Sequence, residues 1–454
     1  MSTENDSDIN PASYDAATHI VVLLKDAGYQ AYLVGGCVRD LIRGVAPLDY
    51  DIVTSARPEE VCALFHHTVP IGIRFGVVLV IEDGHRYEVA TFRTESDYAD
   101  GRRPGHVSLA TAEEDVFRRD FTINALLMDP QTGDIVDYVN GREDLKNRII
   151  RAIGDPELRF SEDYLRMLRA VRFAANFDYI IEAKTFAAIK RQASAIQFIS
   201  AERIRDEITK ILTQAGPRRG MELLAETDLL KSILPEIHHL RGIKQPATFH
   251  PEGDVWAHIL RMLDFLPVDM GAKTDGRLAW SIILHDIGKA CTFTEDASGI
   301  HFYGHAQESE KMACVILYRL RFPNAETETI LALIRCHMLF INVKEMRPNR
   351  LKRFLRMPDF ELHLELHRLD CLGSHGLLDN YHFCKTKLTE TTKEELHPPR
   401  LLTGSDLMAM GLHPGPLFGE ILRAIEDAQL DGHISTSDEA RMMVKDHWMK
   451  PMPH

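Results

Sequence analysis

The sequence lacks several features that would place it in a specialised class of protein. Its 454 residues contain no uninterrupted apolar run of membrane-spanning length, and the opening MSTENDSDINPAS has neither the basic segment nor the apolar stretch of a signal peptide. These absences predict a protein that is not exported and has no membrane partner. No internal repeat is present either, which argues against a repeat architecture.

Cysteine pairing signals are also missing. The seven cysteines show no CxxC pair and no framework spacing. This pattern suits reduced thiols in a cytoplasm, and we expect the cysteines to be ordinary buried residues.

Positive charge is scarce in the chain as a whole. The formal net charge is −14, which argues mildly against nucleic acid as a partner, because a phosphate backbone attracts positive charge. The distribution is uneven: residues 142–219 contain 16 Lys and Arg against 11 Asp and Glu, so this stretch is +5 and the remainder −19. A basic RNA-binding stripe and a solvated helical surface both fit that composition.

Two regions with different secondary-structure patterns follow each other along the sequence. Between about residues 18 and 140, short β-rich runs alternate with helical stretches and turns (AYLVGG, YDIVTS, GVVLVI, YEVATFR, IVDYV). Beyond about residue 148, helical periodicity dominates to the C-terminus. The pattern predicts an α+β unit followed by a mainly α remainder, in about three domains by length.

The first chemical pattern is AYLVGGCVRDLIRG. A strand that ends in Gly35 and Gly36 and continues into a helix lets the backbone approach a phosphate, and helix N-terminal N–H groups favour an anion. Arg39 adds a charge-assisted fork for a triphosphate. An isolated Gly-Gly pair is more often an ordinary turn, so the assignment depends on the residues of the next strand.

Carboxylates occur in that next predicted strand. Asp49 and Asp51 are two residues apart, so their side chains share one face. Paired carboxylates on a rigid backbone are what divalent ions need in phosphoryl transfer. Glu88, in a later strand, is a candidate third acid. Taken singly, an Asp-x-Asp pair is usually surface charge, but the order of these features favours a catalytic site.

This order resembles the class II tRNA nucleotidyltransferase and bacterial poly(A) polymerase family, which includes CCA-adding enzymes. The opening family motif matches Gly35, Gly36, Arg39, Asp40, Asp49 and Asp51. The second motif, RRDxTxNA, matches Arg118, Arg119, Asp120, Thr122, Asn124 and Ala125. The resemblance implies that the second motif fixes the ribose and triphosphate, with polar contacts from Asp120 and Asn124. Without it, Asp120 or Thr122 would be interpreted as a helix cap.

A third motif lies in RFSEDYLRMLRAVRFAANF. Leu165, Leu168, Val171 and Ala175 form a helical apolar stripe, and the acids before Arg166 suit ordinary pairs one turn apart. The resemblance implies more. In the family, the EDxxR residues are a template, in which Asp163 and Arg166 bind the Watson–Crick edge of the incoming base. Arg169 and Arg172 would help to hold the nucleotide.

The segment between Phe92 and Arg118 resembles the flexible loop of the CCA-adding members, with Arg102, Arg103 and Pro104 fitting the pattern. The resemblance favours addition of both C and A. A merely long surface loop is the alternative.

Histidines form a second pattern further along the chain. The candidates, in sequence order, are His258, His285, Asp286, His305, His337 and Asp370. The set resembles the HD metal-phosphohydrolase superfamily. It implies that His258, His285, Asp286 and Asp370 are core metal ligands, with His305 and His337 as additional ones, and that Lys289 neutralises a phosphate. Histidines that only scaffold a helical body are the alternative.

We therefore predict a polymerase-beta-like α+β nucleotidyltransferase head (residues 1–148). An all-α neck (149–215), a body with an HD-type helical domain (216–380) and a helical tail (381–454) complete the chain. The predicted function is addition of CMP and AMP, from CTP and ATP, to the 3′ end of tRNA in the cytoplasm, with Mg2+ at the transferase site, a divalent transition metal at the HD site and no DNA partner.

Two alternatives stay open from sequence. The first is an A-adding tRNA nucleotidyltransferase or a poly(A) polymerase, since these enzymes share the template motif. The second comes from another class: an HD metal phosphohydrolase whose N-terminal unit senses a nucleotide. Intact acids at positions 49, 51 and 88 favour the polymerase class.

Overall fold

The computed structural model describes residues 13–72, 76–98, 104–248, 250–267 and 274–449. The chain forms two compact units, of which the first extends to His238 and the second begins at His239. The finer division into head, neck, body and tail stays a prediction.

A mixed sheet of seven strands forms the centre of the head in the first unit. Its strands are β1 (Ala31–Val34), β2 (Asp51–Thr54), β3 (Thr68–Gly72), β4 (Val77–Glu82), β5 (His85–Thr91), β8 (Leu127–Met128) and β9 (Ile135–Val136). The strand order is β3-β4-β5-β2-β1-β8-β9. Only β2 and β5 among these neighbours run parallel; the others are antiparallel. Every β-rich run predicted from sequence contributes a strand, whereas β3 and β8 were not predicted.

The segment predicted as a flexible loop is partly regular. Its described residues form an antiparallel pair, β6 (Arg93–Tyr98) and β7 (Pro104–Leu109), followed by helix α4 (Ala112–Phe117). Thr111 caps α4 and pairs reciprocally with Glu114, which explains where the helix begins. Arg102 and Arg103 lie outside the described residues.

Helices make up most of the rest of the first unit. They are α1 (Tyr14–Asp26), α2 (Gly36–Ile42), α3 (Pro58–Leu64), α5 (Gly141–Asn147), α6 (Pro156–Glu162), α7 (Leu165–Phe177), α8 (Ala183–Gln192), α9 (Ala201–Thr213), α10 (Pro217–Glu226), α11 (Leu229–Ile233) and α12 (Pro235–His238). A short parallel pair joins β10 (Ile149–Ile150) and β11 (Ile180–Ile181). The apolar stripe predicted for α7 is buried as expected.

The second unit is almost entirely helical. Its helices are α13 (Val255–Asp264), α14 (Gly276–Leu284), α15 (Lys289–Thr292), α16 (His305–Arg319), α17 (Asn324–Cys336), α18 (Pro348–Leu355), α19 (Phe360–Gly373), α20 (Asp379–Glu390), α21 (Lys393–Leu396), α22 (Gly404–Ala409), α23 (Pro416–Leu430) and α24 (Ser437–Trp448). A small hairpin joins β12 (Thr294–Asp296) and β13 (Gly299–His301). The predicted α+β head and mainly helical remainder are thus confirmed.

The cysteines only partly follow the prediction. All seven are free thiols, but Cys291 and Cys314 are exposed and Cys62 is half-buried, so the prediction of burial is wrong for these three. Within the part of the chain that the structure describes, no helix combines the length and apolar character needed to cross a membrane.

Candidate active sites

Asp51 and Glu88 lie on two adjacent strands of the head sheet, and Asp49 precedes the first of these strands. Asp51 is the first residue of β2, and Ile52 lies in register with Val89 of the parallel neighbour β5. Asp51 and Glu88 therefore occupy the same level of adjacent strands, on the side opposite the buried Ile52 and Val89. Burial and the negative charges of Asp49 and Glu88 raise the pKa of Asp51 to about 6, although Arg119 opposes this shift.

Gly35 brings the backbone close to these acids. It precedes α2 with φ of +79°, a conformation that L side chains rarely adopt. A Cβ atom at this position would lie 3.9 Å from Asp51 Oδ2 and 3.7 Å from Arg119 Nη1. The predicted strand–Gly-Gly–helix arrangement is therefore present, and it faces a carboxylate and a guanidinium.

The second motif includes a short 3-10 helix (Thr122–Asn124) and the residues that precede it. Asp120 accepts hydrogen bonds from Phe121 N at 2.8 Å and Arg169 Nε at 2.8 Å. Burial alone would raise the pKa of Asp120, but the Arg169 guanidinium holds it below its ordinary value. Asp120 thus stays ionised and joins the second motif to α7. Thr122 is no N-cap, because its Oγ1 donates to Asp144 Oδ2 at 2.7 Å.

Asp163 and Arg166, the two predicted template residues, are both held by other side chains. Asp163 precedes α7, accepts from Leu165 N and accepts from both terminal nitrogens of Arg203, Nη1 at 3.2 Å and Nη2 at 2.7 Å. Arg166 Nη1 donates to Glu162 Oε2 and to a backbone carbonyl, and Nη2 donates to the Arg118 carbonyl at 3.1 Å. The pair from Arg166 to Glu162 is the ordinary one expected one turn apart, whereas the partner of Asp163 comes from α9.

Two further predicted nucleotide-binding arginines have structural partners. Arg39 donates to Asn124 Oδ1 at 2.6 Å and to both carboxylate oxygens of Asp40. Arg172 lies 2.8 Å from the buried Glu207. Burial lowers the pKa of Arg172, and Glu207 opposes this. Arg39 still borders the site, but Arg172 joins α7 to α9.

Most of these residues line one cleft. Its volume is about 370 Å³, within the range of small-molecule sites. The lining residues are Gly35, Gly36, Arg39, Asp51, Arg118, Arg119, Asp120, Asn124, Asp163, Arg166, Arg169 and Phe173. Asp40, Asp49, Glu88 and Arg172 were predicted for the site but are not among the lining residues. Phe173 was missed, because its place in the apolar pattern of α7 marks it only as a core residue.

A second cluster lies in the second unit, where helix ends bring histidines together. His285 follows α14, His305 begins α16 and His337 follows α17. Each ring donates its Nδ1–H to a backbone carbonyl three residues earlier, Ile282, Phe302 and Ile334 respectively, at 2.9, 2.9 and 2.6 Å. This bond fixes the tautomer and leaves Nε2 as the atom that faces the cluster.

Asp286 lies at the centre of the cluster. Its Oδ2 is 3.2 Å from His285 Nε2 and 4.0 Å from His258 Nε2, and its Oδ1 is 3.4 Å from His305 Nε2. Lys289 Nζ, 2.7 Å from Oδ2, neutralises this carboxylate. Burial would raise the pKa of Asp286, yet His285 and Lys289 hold it well below its ordinary value.

The sixth predicted ligand, Asp370 of α19, completes the set. Its Oδ1 is 3.1 Å from His258 Nε2. Burial lowers the pKa of His258, but Asp370 and Glu252 together raise it to about 9. Gly373 is required one turn further along α19, since a Cβ there would lie 2.6 Å from Met262 Cγ and 3.3 Å from His258 Cε1.

Sequence reasoning missed two residues beside this cluster, His250 and Glu252. Both precede α13, and Glu252 Oε1 lies 2.8 Å from His250 Nδ1 and 3.0 Å from His258 Nδ1. The sequence signal was a His-x-Glu pair shortly before a helix that carries a candidate ligand, and it is weak without the geometry.

Both clusters have the chemistry to hold cations. In the head, a divalent cation would relieve the repulsion that Asp49 and Glu88 exert on Asp51. In the second unit, both ring nitrogens of His258, His285 Nε2 and Asp286 Oδ1 are buried and have no hydrogen-bond partner among the described residues. Three triads there have ligand atoms close enough for one ion each: His250 with Glu252 and His258, His258 with His285 and Asp286, and Asp286 with His305 and His337. Asp286 is common to the last two, as a bridging ligand would be.

Three family models match the chain in sequence order. Residues 31–151 match the poly(A) polymerase head domain, and residues 178–240 match the model described as a probable RNA- and SrmB-binding site of polymerase A. Residues 255–364 match the HD domain. The head match contains Asp49, Asp51 and Glu88, and the HD match contains the clustered histidines and Asp286 but ends before Asp370.

The relatives are CCA-adding enzymes. The chain is 46% identical to the CCA-adding enzyme of Lactobacillus helveticus over 259 residues, which are 56% of this chain and 64% of that one. With the CCA-adding enzyme of Leuconostoc mesenteroides it shares 34% identity over 433 residues, 95% of both chains.

A solved structure is similar over nearly the whole length. The Bacillus stearothermophilus CCA-adding enzyme, determined in complex with CTP, superposes with a TM-score of 0.72 at 29% identity, covering 95% of this chain and 97% of that one. Head, helical remainder and HD domain all have counterparts in relatives aligned end to end. The chain belongs to the CCA-adding enzyme family.

Proposed function

We propose that this chain adds CMP and AMP, from CTP and ATP, to the 3′ end of tRNA. The observation that carries the proposal is the cleft of about 370 Å³ in which Gly35, Asp51, Asp163 and Arg166 all take part. One end of such a site suits a triphosphate with its cation, and the other suits the edge of a base.

The comparisons support this function from two directions. The relative aligned over 95% of its length is a CCA-adding enzyme, and the related enzyme of known structure binds CTP. The chain spans less than two thirds of the L. helveticus relative, 64% of its length. The activity, the substrates and the tRNA partner are therefore proposals for this chain.

The reaction is a direct nucleotidyl transfer. The RNA 3′ oxygen forms a bond to the α-phosphorus, the bond from that phosphorus to the α,β-bridging oxygen breaks, and pyrophosphate leaves. Asp49 and Asp51 would hold Mg2+, with Glu88 as a supporting acid or as the base that takes the hydroxyl proton. A cation held there supplies Lewis acidity for the attacking hydroxyl and charge neutralisation for the pyrophosphate.

The head residues bind and orient the nucleotide. Gly35 and Gly36 let the backbone approach the phosphates at the start of α2, although a helix of 7 residues gives only a modest dipole. Arg119 lies beside Asp51, where it can offset triphosphate charge. Asp120 and Asn124 would contact the ribose. Arg39 donates a hydrogen bond to Asn124 and pairs with Asp40.

Base selection would fall to Asp163 and Arg166. Cytosine and adenine both present an exocyclic amino group next to a ring nitrogen that accepts, whereas uracil and guanine present the reverse pattern. A carboxylate and a guanidinium match the first pattern. Both retain capacity: each Asp163 oxygen has lone pairs beyond the Arg203 bonds, and Arg166 Nε–H has no partner among the described residues.

One experiment separates the three polymerase functions. The full chain is incubated with tRNA lacking 0, 1, 2 or 3 terminal nucleotides and with CTP, ATP or both, and the products are sequenced. We expect C, C and A to be added in order, and intact tRNA to remain unextended. Growth only on tRNA ending in CC would indicate an A-adding enzyme, and long A tails would indicate a poly(A) polymerase.

We further propose that the second unit is a metal phosphohydrolase that acts on 2′,3′-cyclic or terminal phosphates of RNA ends. The arrangement that favours this function is the set of three imidazoles, each fixed through Nδ1, whose Nε2 atoms face the cluster around Asp286. A divalent transition metal held by His258, His285, Asp286 and Asp370, with His305 and His337, supplies Lewis acidity for activating water. A tRNA-directed enzyme of this kind would work in the cytoplasm.

A further inference from the structure

The four histidines of the HD cluster differ in how Nδ1 is held. His285, His305 and His337 stand at helix ends, where each Nδ1 reaches a backbone carbonyl three residues earlier. His258 lies inside α13, where the carbonyl three residues earlier belongs to the helix ladder. The orientation of its ring must therefore be fixed by a side chain.

Glu252 occupies the position that such a side chain requires. Its Oε1 is 3.0 Å from His258 Nδ1, and its side chain is 5% exposed. The opposite ring atom, His258 Nε2, is 3.1 Å from Asp370 and 4.0 Å from Asp286. The ring thus has one edge toward Glu252 and the other toward the proposed ligands.

The loop that carries Glu252 is fixed at both ends. Asp254 caps α13 and also accepts from Gly242 N at 2.6 Å, while Val255 N donates to the Ile243 carbonyl at 3.0 Å. His250 Nδ1 lies 2.8 Å from the same Glu252 Oε1, and its ring meets that of His258 edge to face at 5.1 Å. The carboxylate is therefore restrained by its hydrogen bond with His250 and by the backbone on either side, and it lies within 3.0 Å of His258 Nδ1.

We propose that Glu252 is a positioning residue that orients His258 toward a divalent metal, with His250 holding the carboxylate in place. This inference rests on the proposed metal centre of the second unit. Glu252 would accept the His258 Nδ1–H, which fixes the tautomer whose Nε2 lone pair faces Asp370 and Asp286. Carboxylates in this outer role raise the basicity of a metal-bound histidine.

Ligand atoms of His250, Glu252 and His258 also lie close enough together for one ion, but direct ligation by Glu252 conflicts with the protonation that the His258 ring needs. A metal between Glu252 and His258 would bind Nδ1, and a second metal at Nε2 would then require the ring to lose both protons. Since Nε2 faces the Asp286 and Asp370 carboxylates, the metal belongs on that side and the proton on the side of Glu252.

The test is metal binding to the full chain. The background variant carries Asp49→Ala and Asp51→Ala to remove the proposed head site, and the metal-depleted protein is titrated calorimetrically with Mn2+, Co2+ or Ni2+. We expect Glu252→Ala to weaken binding about 10- to 100-fold at unchanged stoichiometry. Glu252→Gln should recover most of the loss, since its amide oxygen still accepts an N–H. Glu295→Ala, on the exposed strand β12, is the matched control and should bind as the background does.

His250→Ala gives a graded second variant. It removes one restraint on Glu252 but keeps the contact with His258, so we expect a measurable loss of about two- to tenfold. It also serves if Glu252→Ala does not fold, because a wild-type affinity and an unaltered Co2+ spectrum in His250→Ala would then overturn the proposal.

The remaining outcomes distinguish a failure of the positioning role of Glu252 from a failure of the proposed metal centre. Undiminished affinity in a folded Glu252→Ala variant would overturn the positioning role and leave the metal centre standing. Loss of one whole metal equivalent, with the others unaffected, would make Glu252 a ligand and overturn the inference in a different way. If the background protein binds none of the three metals, the metal centre and this inference both fail.

Discussion

The two clusters place an aspartate in opposite electrostatic surroundings. Asp51 in the head is half-buried, and desolvation together with the charges of Asp49 and Glu88 raises its pKa to about 6. Asp286 in the second unit is surrounded by histidines and Lys289, which hold its pKa well below the ordinary value. The three acids of the head cluster repel one another, whereas the acids of the second cluster lie beside Lys289 and histidines.

This difference suggests how each cluster relates to a cation. A divalent ion in the head would relieve repulsion, so its binding should be sensitive to the charge of each acid. In the second unit Lys289 contacts Asp286, and the charges of Asp370 and Glu252 raise the pKa of His258 to about 9, so an ion would compete with positive groups already beside these acids. Binding there should depend on how well the imidazoles are preorganised.

The largest expected effect concerns the head. We expect Asp51→Ala to reduce nucleotide addition by about 10³-fold or more, because one acid of the cation site is lost. Thermal stability of the metal-free protein should not fall, since removing Asp51 also removes repulsion. Addition assays on truncated tRNA and melting curves measure both, with Asp134→Ala, an exposed aspartate of the same unit, as control. Full activity in Asp51→Ala would remove the catalytic assignment.

The same kind of change in the second unit should leave addition intact. Replacing His285 and Asp286 together by alanine should eliminate metal-dependent hydrolysis of a 2′,3′-cyclic or terminal phosphate, because two central ligands are lost. Hydrolysis is measured with Mg2+, Mn2+, Ni2+ and Co2+, and nucleotide addition in parallel. A folded double variant that also lost addition would show that the two sites are not independent. A wild-type chain without hydrolysis would favour a scaffold role for the histidines.

A smaller effect is expected at the base edge. Arg166→Ala should reduce discrimination of CTP and ATP against UTP and GTP by about 10- to 100-fold, since a lost hydrogen bond to a base costs about 1.5–3 kcal/mol when charged. Competition assays with all four nucleotides give the ratio. Arg191→Ala, whose side chain is 62% exposed in a surface ion pair, is the control. Unchanged selection in Arg166→Ala would refute the protein-template role.

The smallest effect comes from the pKa of Asp51. Because that pKa is about 6, protons compete with Mg2+ below this pH, and the Mg2+ concentration for half-maximal addition should rise about tenfold per pH unit there. Above pH 7 the dependence should flatten. A half-maximal concentration that stayed constant from pH 7 to pH 5 would contradict this picture.

Sequence reasoning predicted much of each cluster but few of the contacts within it. The motifs that contain Gly35, Asp51, Asp120 and Arg166 were enough to predict residues that the structure brings together in the cleft. The bond from Asp163 to Arg203 and the contact of Glu252 with His258 were not predicted. Arg203 lies 40 residues after its partner, in another helix, and no local pattern of period 2 or 3.6 relates residues so far apart.

The sequence by itself determined the α+β head, the helical remainder and the residue types available for phosphate, base and metal chemistry. These arise from periodicity and from motifs in which the functional side chains are close along the chain. Only the tertiary structure decided which charged and hydrogen-bonding side chains lie next to each other. It set Asp51 among acids, Asp286 among cations and Glu252 beside His258, because electrostatic surroundings depend on distance in space and on burial, and neither is encoded by spacing along the chain.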